Sequence, residues 1–178
     1  MACGGGLLTE ALFKKGGIVS GIDISDVAIH TAKNHAESAN IDVNYVLGEA
    51  EELLPENKER FDVVTCLEAI EHVPDPNQLV KTCSNLCKKD GDIFFSTINR
   101  NPKSFLFAIV GAEYILNLLP KGTHEYEKFI KPSELTTMME NNGLVVKELT
   151  GMSYNPLTKN YWLGKNVDVN YLIHAKKI

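Results

Sequence analysis

Apolar positions along this chain switch repeatedly between a period near 3.6 and a period of 2. Residues 7–15 (LLTEALFKK) predict a helix, and 18–24 (IVSGIDI) a short buried strand. Residues 25–39 predict a second helix, opened by Ser25 and Asp26 as cap candidates. Strands follow at 42–47 (DVNYVL) and 61–67 (FDVVTCL). A helix is expected over 76–89, with Pro76 in its first turn, and Asp90-Gly91 is expected to turn the chain into a strand at 92–98 (DIFFSTI). Pro132 and Gly143 bracket a helix over 132–142. Strands at 144–149 and 168–175 close the series. Strands alternating with helices in this way predict an α/β fold with a largely parallel sheet.

The stretch 103–120, KSFLFAIVGAEYILNLLP, breaks the rhythm. After Ser104 its clearly polar residues are Glu113 and Asn117, four apart and so on one helical face. A helix with so narrow a polar stripe is buried or meets an apolar surface. It is shorter than the ~20 apolar residues that span a bilayer. Composition adds limits. With 44% hydrophobic and 23% charged residues over 178, the chain is an ordinary globular protein, not a fibre, coiled coil or disordered tail. A net charge of −5 argues against a nucleic-acid binder. The charge is uneven: residues 10–60 carry five Lys/Arg and ten Asp/Glu, whereas 99–131 carry five and three. The apolar stretch therefore lies in a locally basic neighbourhood, which an anionic membrane favours. Cys66, Cys83 and Cys87 stand among apolar residues and read as packing groups.

Four groups of residues carry candidate chemistry. Cys3-Gly4-Gly5-Gly6 opens a helix, where glycines permit a tight turn and a close backbone approach to a ligand. Asp23, at the end of the next strand and about twenty residues on, suits ribose hydroxyls or caps the following helix. The dinucleotide fingerprint is not met, because Thr9 stands where its third glycine belongs. Gly48-Glu49-Ala50 offers either an acceptor for an exocyclic amine or a solvated acidic turn. Glu68-Ala69-Ile70-Glu71-His72 follows a strand, at the end of an open sheet where ligands bind. On a helical turn Glu68, Glu71 and His72 would converge. They would form a divalent-metal site, a general-base His72 held by Glu68, or ordinary surface polarity.

Over nearly its whole length the chain resembles a class I S-adenosylmethionine-dependent methyltransferase. The residues that carry this are Cys3-Gly-Gly-Gly, GIDIS at 21–25, FDVVTCLEAIEHVPDP at 61–76 and FFSTINRN at 94–101. VGAEYILNLLPKGTH at 110–124, KFIKP at 128–132, GMSYNP at 151–156 and VDVNYLIHA at 167–175 resemble, more narrowly, the ubiquinone-biosynthesis O-methyltransferase family. The resemblance implies a Rossmann-like, doubly wound sheet, mostly parallel with an antiparallel last strand. It implies S-adenosyl-L-methionine held by Ala2, Gly4, Gly6, Asp23, Glu49 and Leu67, with Ala2 standing where the family usually has glycine. Glu68, Glu71 and His72 match positions assigned to magnesium, and His72 and Glu68 become the catalytic pair. The implied substrate is a polyprenyl catechol or phenol. The apolar segment within 103–131 then becomes an insertion facing the membrane and the lipid tail, with Lys121, His124 and Lys131 behind it. Other quinone-biosynthesis proteins are implied partners, and nucleic acid is not. The implied location is the cytoplasmic face of a bacterial inner membrane, or the matrix face of a mitochondrial one. In this fold a central strand precedes the glycine turn, and the family pattern here starts at Met1. One methyltransferase domain over 1–178 is therefore expected to lack about one strand and a helical cap, with poor stability and weak activity. A catalytically silent fragment or assembly partner, or a methyltransferase of another small phenol, is the alternative.

Overall fold

The computed structural model describes residues 1–104, 126–155, 158 and 160–178. Most of the apolar stretch at 103–120, with Lys121 and His124, lies outside the described residues. The chain divides into two compact units, Met1–Lys58 and Glu59–Ile178, which are taken in turn.

In the first unit, α1 (Leu7–Lys14) leads to β1 (Ser20–Asp23), α2 (Asp26–Ser38) and β2 (Asn44–Leu47). A short 3-10 turn (Ala50–Leu53) and α3 (Leu54–Asn57) complete it. β1 and β2 pair in parallel from Ser20–Asn44 to Asp23–Leu47, with α2 as the crossover. As expected, Ser25 caps α2: its Oγ accepts from the Ala28 N–H at 3.3 Å. Ile29, Ala32 and Ala36 recur on one face of α2 and are buried with Tyr45 of β2, with Cys3, Ile41 and Val43 packed at the side. Burying a side chain such as Ile29 stabilises by ~1.5–3 kcal/mol.

The second unit holds β3 (Phe61–Leu67), α4 (Pro76–Leu86), β4 (Cys87–Ile98) and a single turn, α5 (Pro102–Ser104). Then come α6 (Pro132–Asn141), β5 (Leu144–Asn155), β6 (Asn160–Gly164) and β7 (Asn170–Lys177). The sheet order is β3-β4-β7-β5-β6. β3 and β4 run parallel, and β7 is antiparallel to both β4 and β5, so the last strand is antiparallel as expected. Val64, Cys66, Ile93, Phe95, Ile173 and Ala175 of the sheet are buried, as are Leu79, Val80, Cys83 and Leu86 of α4 and Leu135 and Met139 of α6. The three apolar cysteines are buried and in no disulfide, in keeping with a packing role.

β1 and β2 pair as a two-stranded sheet and β3–β7 as a five-stranded one, in keeping with a doubly wound fold that lacks its first central strand. Two local expectations change. Asp90-Gly91 does not end a helix: α4 stops at Leu86, and the pair lies inside β4. There Phe61 opposes Cys87 while Val63 opposes Asp92, so the residues between are bulged out. Asp90 takes up the bend at φ +60. β6 is also new. Its residues are all exposed, so no burial imposes an alternating pattern that sequence reading could find.

Candidate active site

The glycine turn is stitched to the end of β1. Cys3 N–H donates to the Ile22 carbonyl at 3.0 Å. Gly4 N–H donates to Asp23 Oδ2 at 2.8 Å, and Ser25 N–H donates to Asp23 Oδ1 at 2.9 Å. Each carboxylate oxygen thus holds one backbone donor and keeps lone-pair capacity for another. Gly48 N–H donates to the Asp23 carbonyl at 3.0 Å, so the loop after β2 is tied to the same point. Gly4 has φ +52, and a Cβ built on it would meet no atom within 4 Å. That is a left-handed backbone beside open space, a place where a ligand can touch the main chain. Gly6 differs: at φ +86 it precedes α1, and a Cβ there would overlap the Tyr45 hydroxyl. Ala2 is exposed at φ +48, a conformation that favours the glycine usual in the family. Glu49 is exposed, and its N–H donates to Glu52 Oε1 at 3.3 Å, closing the acidic turn. The residues of this unit fit a nucleoside: a carboxylate at the strand end, an open glycine backbone and an acidic loop beside it.

In the second unit the strand end after β3 is built differently from the expected helical turn. Glu68 has φ +51, a left-handed conformation that costs a non-glycine residue roughly 1–2 kcal/mol. Ser96, opposite Leu67 in the β3–β4 ladder, compensates. Glu68 N–H donates to the Ser96 carbonyl and to Ser96 Oγ, each at 3.0 Å, and the Ser96 hydroxyl donates to Glu68 Oε1 at 2.6 Å. Leu67 is half-buried beside it. Ile70–His72 then forms a 3-10 turn, with His72 N–H donating to the Ala69 carbonyl at 3.0 Å.

This backbone separates the three residues expected to converge. Glu68 and His72 are exposed, whereas Glu71 points inward with only 3% exposure. Among the described residues, no three His, Cys, Asp or Glu side chains lie close enough together to hold a metal ion. The expected set of Glu68, Glu71 and His72 is therefore not formed as the chain is folded. Both Glu71 carboxyl oxygens are buried without a well-formed hydrogen bond, as is Thr97 Oγ1 on β4. Burial pushes the Glu71 carboxyl up to about 7; the nearby backbone pulls it back in part, the Glu68 charge adds to the rise, and the Thr97 hydroxyl opposes it least. Tyr171 pairs with Thr97 across the ladder and donates to the Ile130 carbonyl at 2.9 Å. Its phenol is raised first by burial and then by the Glu71 charge.

Ser96 and Thr97 were missed as site residues in the sequence. The available signal was two hydroxyls in succession inside the otherwise apolar FFSTI strand. Asn99, Arg100 and Asn101 continue this sheet end. Asn99 Nδ2 donates to the Val167 carbonyl at 2.9 Å, and Arg100 pairs with Glu134 of α6.

The parallel β-α-β unit with its glycine turn and terminal carboxylate, taken with the family match over the same residues, places the chain among the methyltransferases. The methyltransferase domain family matches residues 1–95. The fold is similar to that of an S-adenosylmethionine-dependent methyltransferase from Methanosarcina mazei, with a TM-score of 0.72 at 21% identity, covering 99% of this chain and 90% of that one. Sequence narrows the class. The chain is 55% identical to the ubiquinone biosynthesis O-methyltransferase of Saccharophagus degradans, covering 100% of this chain and 76% of that protein. It is 52% identical to the protein of the same name from Acinetobacter baumannii strain AYE, covering 99% and 75%. The chain belongs to the ubiquinone biosynthesis O-methyltransferase family.

Proposed function

We propose that this chain methylates a phenolic oxygen of polyprenyl catechol intermediates in ubiquinone biosynthesis, with S-adenosyl-L-methionine as donor. The observation that carries this is 52–55% identity along essentially the whole chain to enzymes of that name. Gly4 and Asp23 hold the nucleoside, Gly6 makes the turn tight against Tyr45, and Ala2 and Glu49 lie on the same glycine turn and acidic loop. The donor supplies an electrophilic sulfonium methyl group. A phenol with a pKa of about 10 must lose its proton as its oxygen attacks. His72 takes that proton, exposed at the end of its 3-10 turn. Glu68, clamped by Ser96, places negative charge on the turn where the imidazolium forms. The oxygen–methyl bond forms as the sulfur–methyl bond breaks, leaving S-adenosylhomocysteine and a methyl ether. Magnesium is implied by the family resemblance, but Glu71 faces the core, so no step is routed through it.

Among the described residues no helix is long and apolar enough to cross a membrane. The polyprenyl tail and the basic, apolar composition of 103–131 support a peripheral position on a membrane, where other quinone-pathway proteins would be neighbours. The test is His72→Ala. General-base loss is expected to lower turnover by roughly 10²–10⁴-fold, with S-adenosylhomocysteine affinity unchanged. Full turnover by the variant would refute the role. Turnover is expected to survive exhaustive chelation; recovery only with added magnesium would show that Glu71 swings outward.

A further inference from the structure

The β5–β6 ribbon carries chemistry that neither the glycine turn nor the Glu68 turn uses. β7 pairs with β5 only as far as Gly151–Tyr171. β5 and β6 stay paired from Gly151–Gly164 out to Asn155–Asn160. Among the described strands, Met152–Asn155 and their partners therefore pair with each other alone, beyond the reach of β7. β5 runs parallel to β4, since both are antiparallel to β7. The ribbon thus projects from the sheet end at which β3 and β4 finish, the end that bears Glu68 and Thr97.

Directly opposed residues share a ribbon face. Tyr154 opposes Tyr161, their rings stacked at 4.5 Å, and Met152 opposes Leu163. Trp162 opposes Ser153 and stands on the other face. Tyr161 is 66% exposed, Leu163 65%, Trp162 52% and Tyr154 41%. The apolar groups are thus presented to water on both faces, which suits an environment that surrounds the ribbon better than a partner that covers one side. Charge is segregated here as well. Residues 149–167 contain two lysines, Lys159 and Lys165, and no Asp or Glu, in a chain of net charge −5. Tyr and Trp with flanking lysines form the composition that settles at the headgroup level of a bilayer, and lysines there are drawn to anionic lipids.

We propose that the ribbon bearing Met152, Tyr154, Tyr161, Trp162 and Leu163 inserts into the headgroup region of an anionic lipid bilayer. It would hold the substrate-side sheet end against the membrane. The proposal deepens the reading above, resting on it only for the reason such an anchor is useful.

Trp162 is the chain's one tryptophan, so its emission reports on the ribbon directly. The full chain is mixed with vesicles of phosphatidylcholine and phosphatidylglycerol. A blue shift is expected, with quenching by lipids brominated high on the acyl chain, and both should weaken in pure phosphatidylcholine or high salt. Tyr161→Ser with Leu163→Ser should lower vesicle partitioning by about tenfold or more. The melting temperature and methylation of a water-soluble catechol should be kept. Trp162 emission that vesicles leave unmoved would overturn the proposal. So would a shift that follows protein concentration without lipid, which signals self-association. Failure to methylate the soluble catechol would sink the functional reading while leaving the vesicle result to judge the ribbon.

Discussion

Glu71→Gln tests the inward turn of that side chain. The Glu71 carboxyl sits at about 7 in the folded chain, against 4.5 for an ordinary glutamate. The folded state therefore holds a proton that the unfolded state has released across that interval. Stability contributed by the protonated form is complete below about pH 4.5, is lost as pH rises to about 7, and does not return above it. A gap of about 2.5 units corresponds to about 3 kcal/mol. Glutamine has the same shape and no charge at any pH, and its amide can donate to Thr97 Oγ1, the hydroxyl that faces the Glu71 carboxyl. Urea unfolding of both proteins at pH 5 and pH 8 gives the comparison, because every other titrating group cancels between them. Because the unfolded glutamate is already mostly ionised at pH 5, the variant should gain roughly 2–3 kcal/mol relative to the parent on going from pH 5 to pH 8. A difference that stays constant across that range would refute the reasoning. A variant weaker at pH 8 than at pH 5 would do so more strongly, since an ionised Glu71 gripping a cation gives that result.

Asp23→Asn keeps one acceptor but turns an amide donor toward either Gly4 N–H or Ser25 N–H. Losing a charge-assisted bond of roughly 1.5–3 kcal/mol should weaken S-adenosylhomocysteine binding by about tenfold or more in calorimetric titration; affinity within threefold of the parent would count against the assignment. Ser96→Ala removes the hydroxyl that relieves the left-handed Glu68, so kcat should fall while nucleoside affinity holds, and unchanged kcat would make Ser96 a bystander. Gly151→Ala would drive a Cβ into the Asn166 carbonyl, a backbone atom that cannot rotate away. Overpacking of about 1–3 kcal/mol should appear as a lower melting temperature, and an unaltered melt would show that the loop yields.

Much of this protein was legible in its sequence. Periodicity located the helices at 26–38 and 132–141 to within a residue or two, because each buries an apolar stripe, Ile29, Ala32 and Ala36 in one and Leu135 and Met139 in the other; it also located 7–14, although there the leucines are exposed and Thr9 and Glu10 are buried. Ser25 and Pro132 marked helix starts for local reasons that need no tertiary contact. The glycine cluster and Asp23 could be paired because a tight strand-to-helix turn and the next strand's end are linked by short-range connectivity. The resemblance in residues 110–175 pointed to the family that 52–55% identity then established.

Tertiary structure decided the rest. Helical spacing would have drawn Glu68, Glu71 and His72 together, but one left-handed residue reverses the chain first. Glu68 can adopt φ +51 because Ser96, twenty-eight residues away, supplies its hydrogen bonds. The long bulge in β4 and the β5–β6 ribbon likewise depend on strands that find each other across the chain. Local pattern records which face of an element is apolar. It does not record the sign of a single φ or the pairing of an exposed strand, and those determined which carboxylate faces the core and which aromatics face outward.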